Sequence, residues 1–545
     1  MRRPRLLASL ALVVVAGALL AFQPLRSEWW TGYDFDSVYV ASGLTLFRGE
    51  QSTFFDHPGV PLQEALGAAF TAGWLLEGAD ESRAERADRW LLDLDATRPY
   101  LRTLGALLFA GSALIVLLVV TALTGSALWG FVGGVLFLGS PSLIDWAAVT
   151  KPDPLLAALS VAVVGLLVLA ARARSLPLYA AAAAVLGFVL MVKLHAGGLV
   201  APFAVSLLAW PPRPGGWEPV RAWARARRRA LLVGAGLFAS LAVALNAFGP
   251  RPDARHTWQF LAAIAAVSAV GFGLRLVRAL RRSADVGLVL FGAALAGAIV
   301  PNLLFASMPP TAVRWVADSL VGGGVNEGAR PSLSVLDTLR PWLVFAGVAA
   351  IGVVLTLRRG DRTALLWPLG AAAMGVLAYA RYGQLHYYAP AVALLVPPTV
   401  EALRPLARRP LLLAIVLAAV LYPPYSTGIR HARERGTEAA KAARVNDWLL
   451  SHLRDDEVAL TRLESSDSRH FYLVRRFAPG GAEPQYRLLP VDRPAADYVR
   501  ARERTVRYVA TSGPEDVDAA LREIGLGGRA VRVVGAPGFV YRVMH

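Results

Sequence analysis

Five short stretches of this chain gather ionisable side chains of the kinds a reaction site uses. They are "GYDFDSVYVA" with Asp34 and Asp36, "FFDHPG" with Asp56 and His57, "IDWAAVTKPDP" with Asp145, Lys151 and Asp153, "MVKLHAGG" with Lys193 and His195, and "ARYGQLHYYAP" with Arg381, Tyr382, His386, Tyr387 and Tyr388. The chemistry such a set supports is displacement at a sugar's anomeric carbon: a carboxylate takes the acceptor's proton while cations stabilise a departing phosphate. Asp36 and Asp56 supply the first kind of group, and Lys151, Lys193, Arg381, His57 and Arg314 the second. Each cluster also has a plainer reading. Carboxylates suit a helix start, as Asp34 and Asp36 would, and Lys193 or Arg381 could merely snorkel to an interface.

The elements that must position these residues are membrane helices. Of 545 residues, 55% are hydrophobic and only 17% charged, too little polar surface for a soluble protein of this length. Apolar stretches long enough to span begin near Leu6, Leu101, Ala127, Leu155, Leu178, Gly197, Ala230, Trp258, Val286, Trp342, Ala364, Ala389 and Leu411, so the expectation is an all-α polytopic body of about thirteen spans. Ionisable groups in such a body are costly, which makes each a functional candidate. The chain has no cysteine, which excludes disulfides, thiolate nucleophiles and cysteine-ligated zinc.

A formal charge of +17 would ordinarily raise nucleic acid as a partner. If the first span exits the cytoplasm, however, 21 basic residues fall in inside loops, among them the run "RAWARARRRA". Short outside loops then hold only Lys151, Arg251, Arg255, Arg314 and Arg330, so the arginines orient helices. Nucleic acid is set aside. The same topology turns all five polar clusters outward, which suggests a one-sided reaction chamber.

"LLASLALVVVAGALLAF" after "MRRPR" reads as an uncleaved first span rather than a signal peptide, because many more spans follow. Residues 25–100 form an acidic external loop, with 13 acidic against 6 basic residues, in which "PLQEALGAAFTAGWLLEG" reads as an amphipathic helix able to lie on the membrane. From residue 426 the composition turns soluble. Short apolar runs such as "EVALTRLE", "HFYLVRRF", "RYVATSG", "AVRVVG" and "FVYRVMH" alternate with the helical "AAKAARVNDWLLSHL" and "PEDVDAALREIG". Two domains are expected: a membrane domain over 1–425 and a small extracytoplasmic α/β domain over 426–545.

"FDSVYVASGLTLFRG…FFDHPGVPLQ" resembles the first external loop of GT-C glycosyltransferases such as protein O-mannosyltransferases and aminoarabinose transferases. "TKPDPLLAAL" is similar to the acidic motif opening a later span, and "ARYGQLHYYAPAVALLVP" to a late helix bearing Arg-Tyr and Pro. The resemblance implies an inverting transferase in the cell (inner) membrane, with a cytoplasmic N-terminus. It implies transfer of a sugar from a polyprenyl-phosphate donor to an extracytoplasmic glycan, lipid or protein acceptor. Asp36 then matches the catalytic acid, Asp56 and His57 match residues near the reacting centre, and Lys151, Asp153 and Arg381 match donor-side residues. Lys193, Tyr382 and His386 join the donor-binding set through their clusters. Two departures stand out: Ser37 replaces a second acid, whose role Asp34 could take, and Gly59 replaces a second proline. Use of a divalent metal ion stays open. The competing readings are a transporter or flippase of lipid-linked sugars, which predicts inverted repeats and broken midplane helices, and a scaffold that tolerates loss of Asp36, Asp56 and Lys151 together.

Overall fold

Runs of Leu, Ala and Val with charge only at their ends form helices, because a helix satisfies its backbone polar groups internally, as an apolar medium requires. The computed structural model describes residues 2–22, 36–49, 59–92, 94–139, 151–213, 281–299, 340–381, 385–463, 486–514, 516–526 and 528–544, with a few isolated positions besides. Two compact units result. One comprises Met1–Phe22, Gly49–Ala65 and Thr103–Ile429, the other Gln23–Arg48, Leu66–Arg102 and Arg430–His545.

In the first unit, four helices among the described residues are long and apolar enough to cross a membrane: Arg98–Thr124, Asp153–Ala173, Arg340–Arg358 and Pro410–Arg430. Five shorter apolar helices accompany them, Leu6–Ala18, Ala127–Leu138, Leu176–Val192, His195–Ala209 and Asp285–Ala298. The thirteen expected spans are therefore not confirmed. Those expected from Ala230 and Trp258 lie largely outside the described residues. The one expected from Ala389 is broken into Ala389–Ala393 and Val396–Leu403, with Pro390, Pro397 and Pro398 near the two starts, where a missing N–H costs least.

Helix Asp153–Ala173 is the most buried of the four long helices, with 78% of its most apolar window covered. Pro152 and Pro154 set its start, and Arg174 ends it in the left-handed conformation at φ +47°. Helix Leu176–Val192 packs backbone to backbone on Arg281–Ile299: a Cβ added to Gly187 would lie 1.9 Å from the carbonyl oxygen of Ala294, and one added to Gly297 1.8 Å from that of Ala184. Small residues thus let apolar helices approach where no hydrophobic drive separates them from lipid. Gly352 does the same against Pro398.

The two ends of the 21-residue helix Asp153–Ala173, about 30 Å apart, differ in chemistry. At one end Arg172 pairs with Asp361 at 2.7 Å, in the sequence neighbourhood of Arg358, Arg359 and Arg362. At the other stands Asp153, beside Lys151.

The second unit contains helix Asp36–Arg48, whose Gly43 and Leu46 meet Leu66 and Gly67 of helix Val60–Leu76. That helix was expected to lie on the membrane; instead Leu66 and Phe70 are buried in protein, leaving Leu75 and Leu76 exposed. Helix Arg83–Leu92 starts with a reciprocal cap, Glu85 N–H donating to Ser82 Oγ at 3.2 Å and Ser82 N–H to Glu85 Oε2 at 2.9 Å. Phe47, Phe70, Trp74, Trp90 and Tyr100 form an aromatic core, flanked by Arg83 and Arg86 over their rings.

Among its described residues the tail carries a five-stranded sheet of order β2-β1-β3-β5-β4, with β1 Glu457–Thr461, β2 Leu488–Pro490, β3 Thr505–Thr511, β4 Arg529–Arg532 and β5 Phe539–Met544. β2, β1 and β3 are parallel, and β5 is antiparallel to β3 and β4. The strands expected at "EVALT", "RYVATSG", "AVRVVG" and "FVYRVMH" are present; "HFYLVRRF" falls almost wholly outside the described residues, and the three-residue β2 was not anticipated. Helix Val517–Glu523 matches "PEDVDAALREIG", capped by Asp516, which accepts the Ala519 N–H at 2.9 Å, and followed by Gly525 at φ +75°.

Candidate functional site

Helix Leu176–Val192 stops at Lys193, whose backbone is extended at φ −162° and ψ 135°. A tight turn, Leu194–Leu199, follows immediately. It approaches helix Leu366–Arg381 closely, since a Cβ on Gly198 would lie 2.9 Å from Met374 Sδ and 3.2 Å from the Ala373 carbonyl. The break aims the Lys193 side chain at the start of helix Asp153–Ala173, where its ammonium donates to Asp153 Oδ1 at 3.0 Å. Both side chains are almost fully covered, 3% and 2% accessible. The same ammonium lies 4.4 Å from the ring centre of Tyr387, and the His195 imidazole stacks on that ring at 4.9 Å and 28°. Lys151 is buried close by in sequence, at 2% exposure.

Sequence reading listed Lys151, Asp153 and Lys193 as donor-binding; the structure brings Asp153 and Lys193 into contact. Lys193 does not snorkel. It is enclosed, and Asp153 takes only one of its three N–H donors, with no other hydrogen-bond acceptor reaching it among the described residues. A buried ammonium with unspent donors is costly to keep, and it is what an anion would complete.

Of the other listed residues, Asp36 opens helix Asp36–Arg48, Arg381 closes helix Leu366–Arg381, and His386 lies in the turn Leu385–Tyr388. Asp34, Asp56, His57 and Tyr382 lie outside the described residues, as do Asp145 and Arg314. Gly59, two residues after His57 in the sequence, donates its N–H to the carbonyl of Val192 at 3.1 Å, one residue before Lys193. Gly59 sits at φ +45°, a conformation closed to proline. Five residues on, burial pushes the Glu64 carboxyl up to about 8, and among the described residues its Oε1 has no hydrogen-bond partner. Among the described residues no three His, Asp or Glu side chains gather as a metal site would require.

The sequence assigns no role to Tyr387 beyond its cluster, whereas the structure sets its ring against the Lys193 ammonium. One signal could have ranked the cluster higher. The chain has 56 Lys and Arg residues, of which only Lys151, Lys193 and Lys441 are lysines. A composition that writes positive charge as arginine spends two of three lysines beside Asp153.

No protein-family model matches the sequence, and no curated protein does. A solved structure does match: ArnT from Cupriavidus metallidurans bound to undecaprenyl phosphate, 14% identical, aligns over 99% of this chain and 98% of that one with a TM-score of 0.52. The chain has the ArnT fold. The ArnT apo state aligns at 14% identity over 98% and 97% of the two chains with a TM-score of 0.49. The archaeal oligosaccharyltransferase AglB from Archaeoglobus fulgidus, in complex with an inhibitory peptide and a dolichol-phosphate, aligns at 12% identity over 98% and 74% with a TM-score of 0.48. The ArnT alignment covers both units, so the likeness in fold extends through the terminal sheet.

Proposed function

We propose that this chain is an inverting glycosyltransferase that moves a sugar from a polyprenyl-phosphate donor to an extracytoplasmic glycan, lipid or protein. The observation that carries the reading is the buried Lys193 ammonium, to which Asp153 alone among the described residues offers a hydrogen-bond acceptor, set in an apolar helical unit of the ArnT fold. The ArnT structure with undecaprenyl phosphate bound gives the ligand class its precedent.

In this reading the donor is a phosphodiester with one negative charge, and cleavage of the sugar–oxygen bond leaves a phosphomonoester with a second. Lys193, with Lys151 and Arg381, offsets that developing charge, and a cation waiting in a water-poor site acts more strongly than one in water. Asp153 holds the ammonium until the phosphate shares it. Asp36 takes the acceptor hydroxyl's proton as the new bond forms from the opposite face of the sugar, with Asp34 or Asp56 in support and His57 toward the donor. Tyr382 and His386 complete the donor side. The residues expected to face outward belong to a membrane domain over 1–425, and the sheet over 426–545 stands outside as the soluble part.

The test is donor consumption by purified protein supplied with radiolabelled polyprenyl-phosphate sugars, wild type beside Asp36→Asn. Transfer lost in the variant, with expression unchanged, supports Asp36 as base; full activity removes it from that role.

A further inference from the structure

A lysine side chain has a flexible four-carbon stem and a compact ammonium, so burying one at a fixed point requires something to hold its head. Asp153 contributes one hydrogen bond at 3.0 Å. A second hold comes from Tyr387, 5% exposed, whose ring centre is 4.4 Å from Lys193 Nζ. A ring face attracts a cation without claiming the geometry of a hydrogen-bond acceptor. The ring is itself fixed: His195 stacks on it, Ala378 and Tyr388 share its buried cluster, and the turn that carries it runs directly into helix Ala389–Ala393, which packs on helix Asp153–Ala173.

From this geometry we infer that Tyr387 is a positioning residue: the face of its ring, rather than its hydroxyl, fixes the Lys193 ammonium beside Asp153 so that an arriving lipid phosphate meets a placed cation, with His195 bracing the ring. Three arguments support it. Lys193 has no other hydrogen-bond acceptor among the described residues, so deleting the ring leaves the head on a single bond. Its two remaining donors stay available for an anion, which a second carboxylate in place of the ring would have consumed and neutralised. And the stacked imidazole contributes rigidity without competing for the ammonium. The inference rests on the donor reading only in naming the anion as a lipid phosphate.

The scarcity of lysine makes this testable in the full-length protein. Lysine labelled with carbon-13 at the ε position gives three signals, with exposed Lys441 as internal reference. Ring placement predicts a Lys193 signal shifted upfield of Lys441 in the wild type and in Tyr387→Phe, and returned toward Lys441 in Tyr387→Leu. Titration with undecaprenyl phosphate in nanodiscs then reads the anion. Half-saturation should rise about tenfold in Tyr387→Leu, the size of a desolvated cation–ring contact, and stay within about twofold in Tyr387→Phe. Should the leucine variant not fold, mono-, di- and trifluorinated phenylalanine at position 387 preserve shape while draining the ring face, and half-saturation should climb stepwise with fluorine count. Equal losses in the phenylalanine and leucine variants would assign the effect to the hydroxyl and overturn the inference, as would indifference to fluorination. An upfield Lys193 signal that undecaprenyl phosphate leaves unmoved in the wild type would uphold the ring placement and overturn the donor reading.

Discussion

The molecule contains two acid–base clusters built from similar parts to opposite ends. In the second unit, Arg86 pairs with Glu77 and Glu81, Arg89 pairs with Glu81, and Tyr100 donates to Glu77. The acceptors there are 23% and 44% accessible, each cation meets a carboxylate, and Arg86 also lies over Trp90. That knot ties a loop to its aromatic core. The tyrosine's hydrogen bond, followed by Arg86, holds Glu77 below the usual carboxylate range. In the first unit, Lys193 and Asp153 are both enclosed, yet among the described residues only Asp153 accepts a hydrogen bond from the lysine. Charge that is buried and incompletely paired has no structural justification of its own, since an apolar pair of equal volume packs as well or better. On the proposed reading the Lys193–Asp153 cluster is the working one and the Arg86 knot the structural one.

The largest expected effect comes from breaking that pair. Asp153→Ala leaves an uncompensated buried ammonium and should cost about 3–5 kcal/mol, read as loss of thermal stability in detergent; Asp153→Leu with Lys193→Met should recover most of it. A double variant as unstable as the single one would mean the pair is structural, like the loop knot.

Glu64 sharpens the comparison through pH. Its folded carboxyl titrates near 8 because burial penalises the charged form, against an ordinary value of 4.5. The folded state therefore binds this proton more tightly than the unfolded chain does. Its stability contribution is complete below about 4.5 and is lost as pH rises toward 8, by a few kcal/mol. Unfolding temperature should fall across that window in the wild type and stay flatter in Glu64→Gln. Matching slopes would show that the carboxyl is solvated after all.

Gly59→Ala should cost about 1–2 kcal/mol by forcing a side chain into the left-handed region, and should loosen the tie to Val192; hydrogen exchange at the Gly59 amide reports it. The smallest effect belongs to an exposed pair in the tail, Arg500 with Asp497 at 2.5 Å. Asp497→Asn should change stability by no more than about 0.5 kcal/mol. A cost near that of Asp153→Ala would erase the distinction drawn here.

Much of this was legible because membrane chemistry is written in composition. Apolar runs located the long helices among the described residues, and "TKPDP" and "MVKLH" named the two halves of an ion pair 40 residues apart. Their contact was not legible, because it depends on where helix Leu176–Val192 breaks and on the backbone packing of Gly187 and Gly297. The role of Tyr387 was hidden for the same reason: an aromatic beside a proline looks alike whether it fills a core or carries a cation. Helix Val60–Leu76 misled in the other direction, since its polar Gln63 is fully buried and its exposed end is Leu75–Leu76. Gly59, a departure from the motif that the first external loop resembles, becomes intelligible once its positive φ is known.

The most direct measurement is sugar transfer from polyprenyl-phosphate donors by purified wild type, Lys193→Gln and Lys441→Gln. Wild type and Lys441→Gln should consume the same donor at the same rate, while Lys193→Gln falls at least about 100-fold, the scale of losing one charge-stabilising group at the leaving phosphate. Equal rates in all three proteins, or no donor consumed by the wild type, would contradict the assignment of this buried lysine to a lipid phosphate.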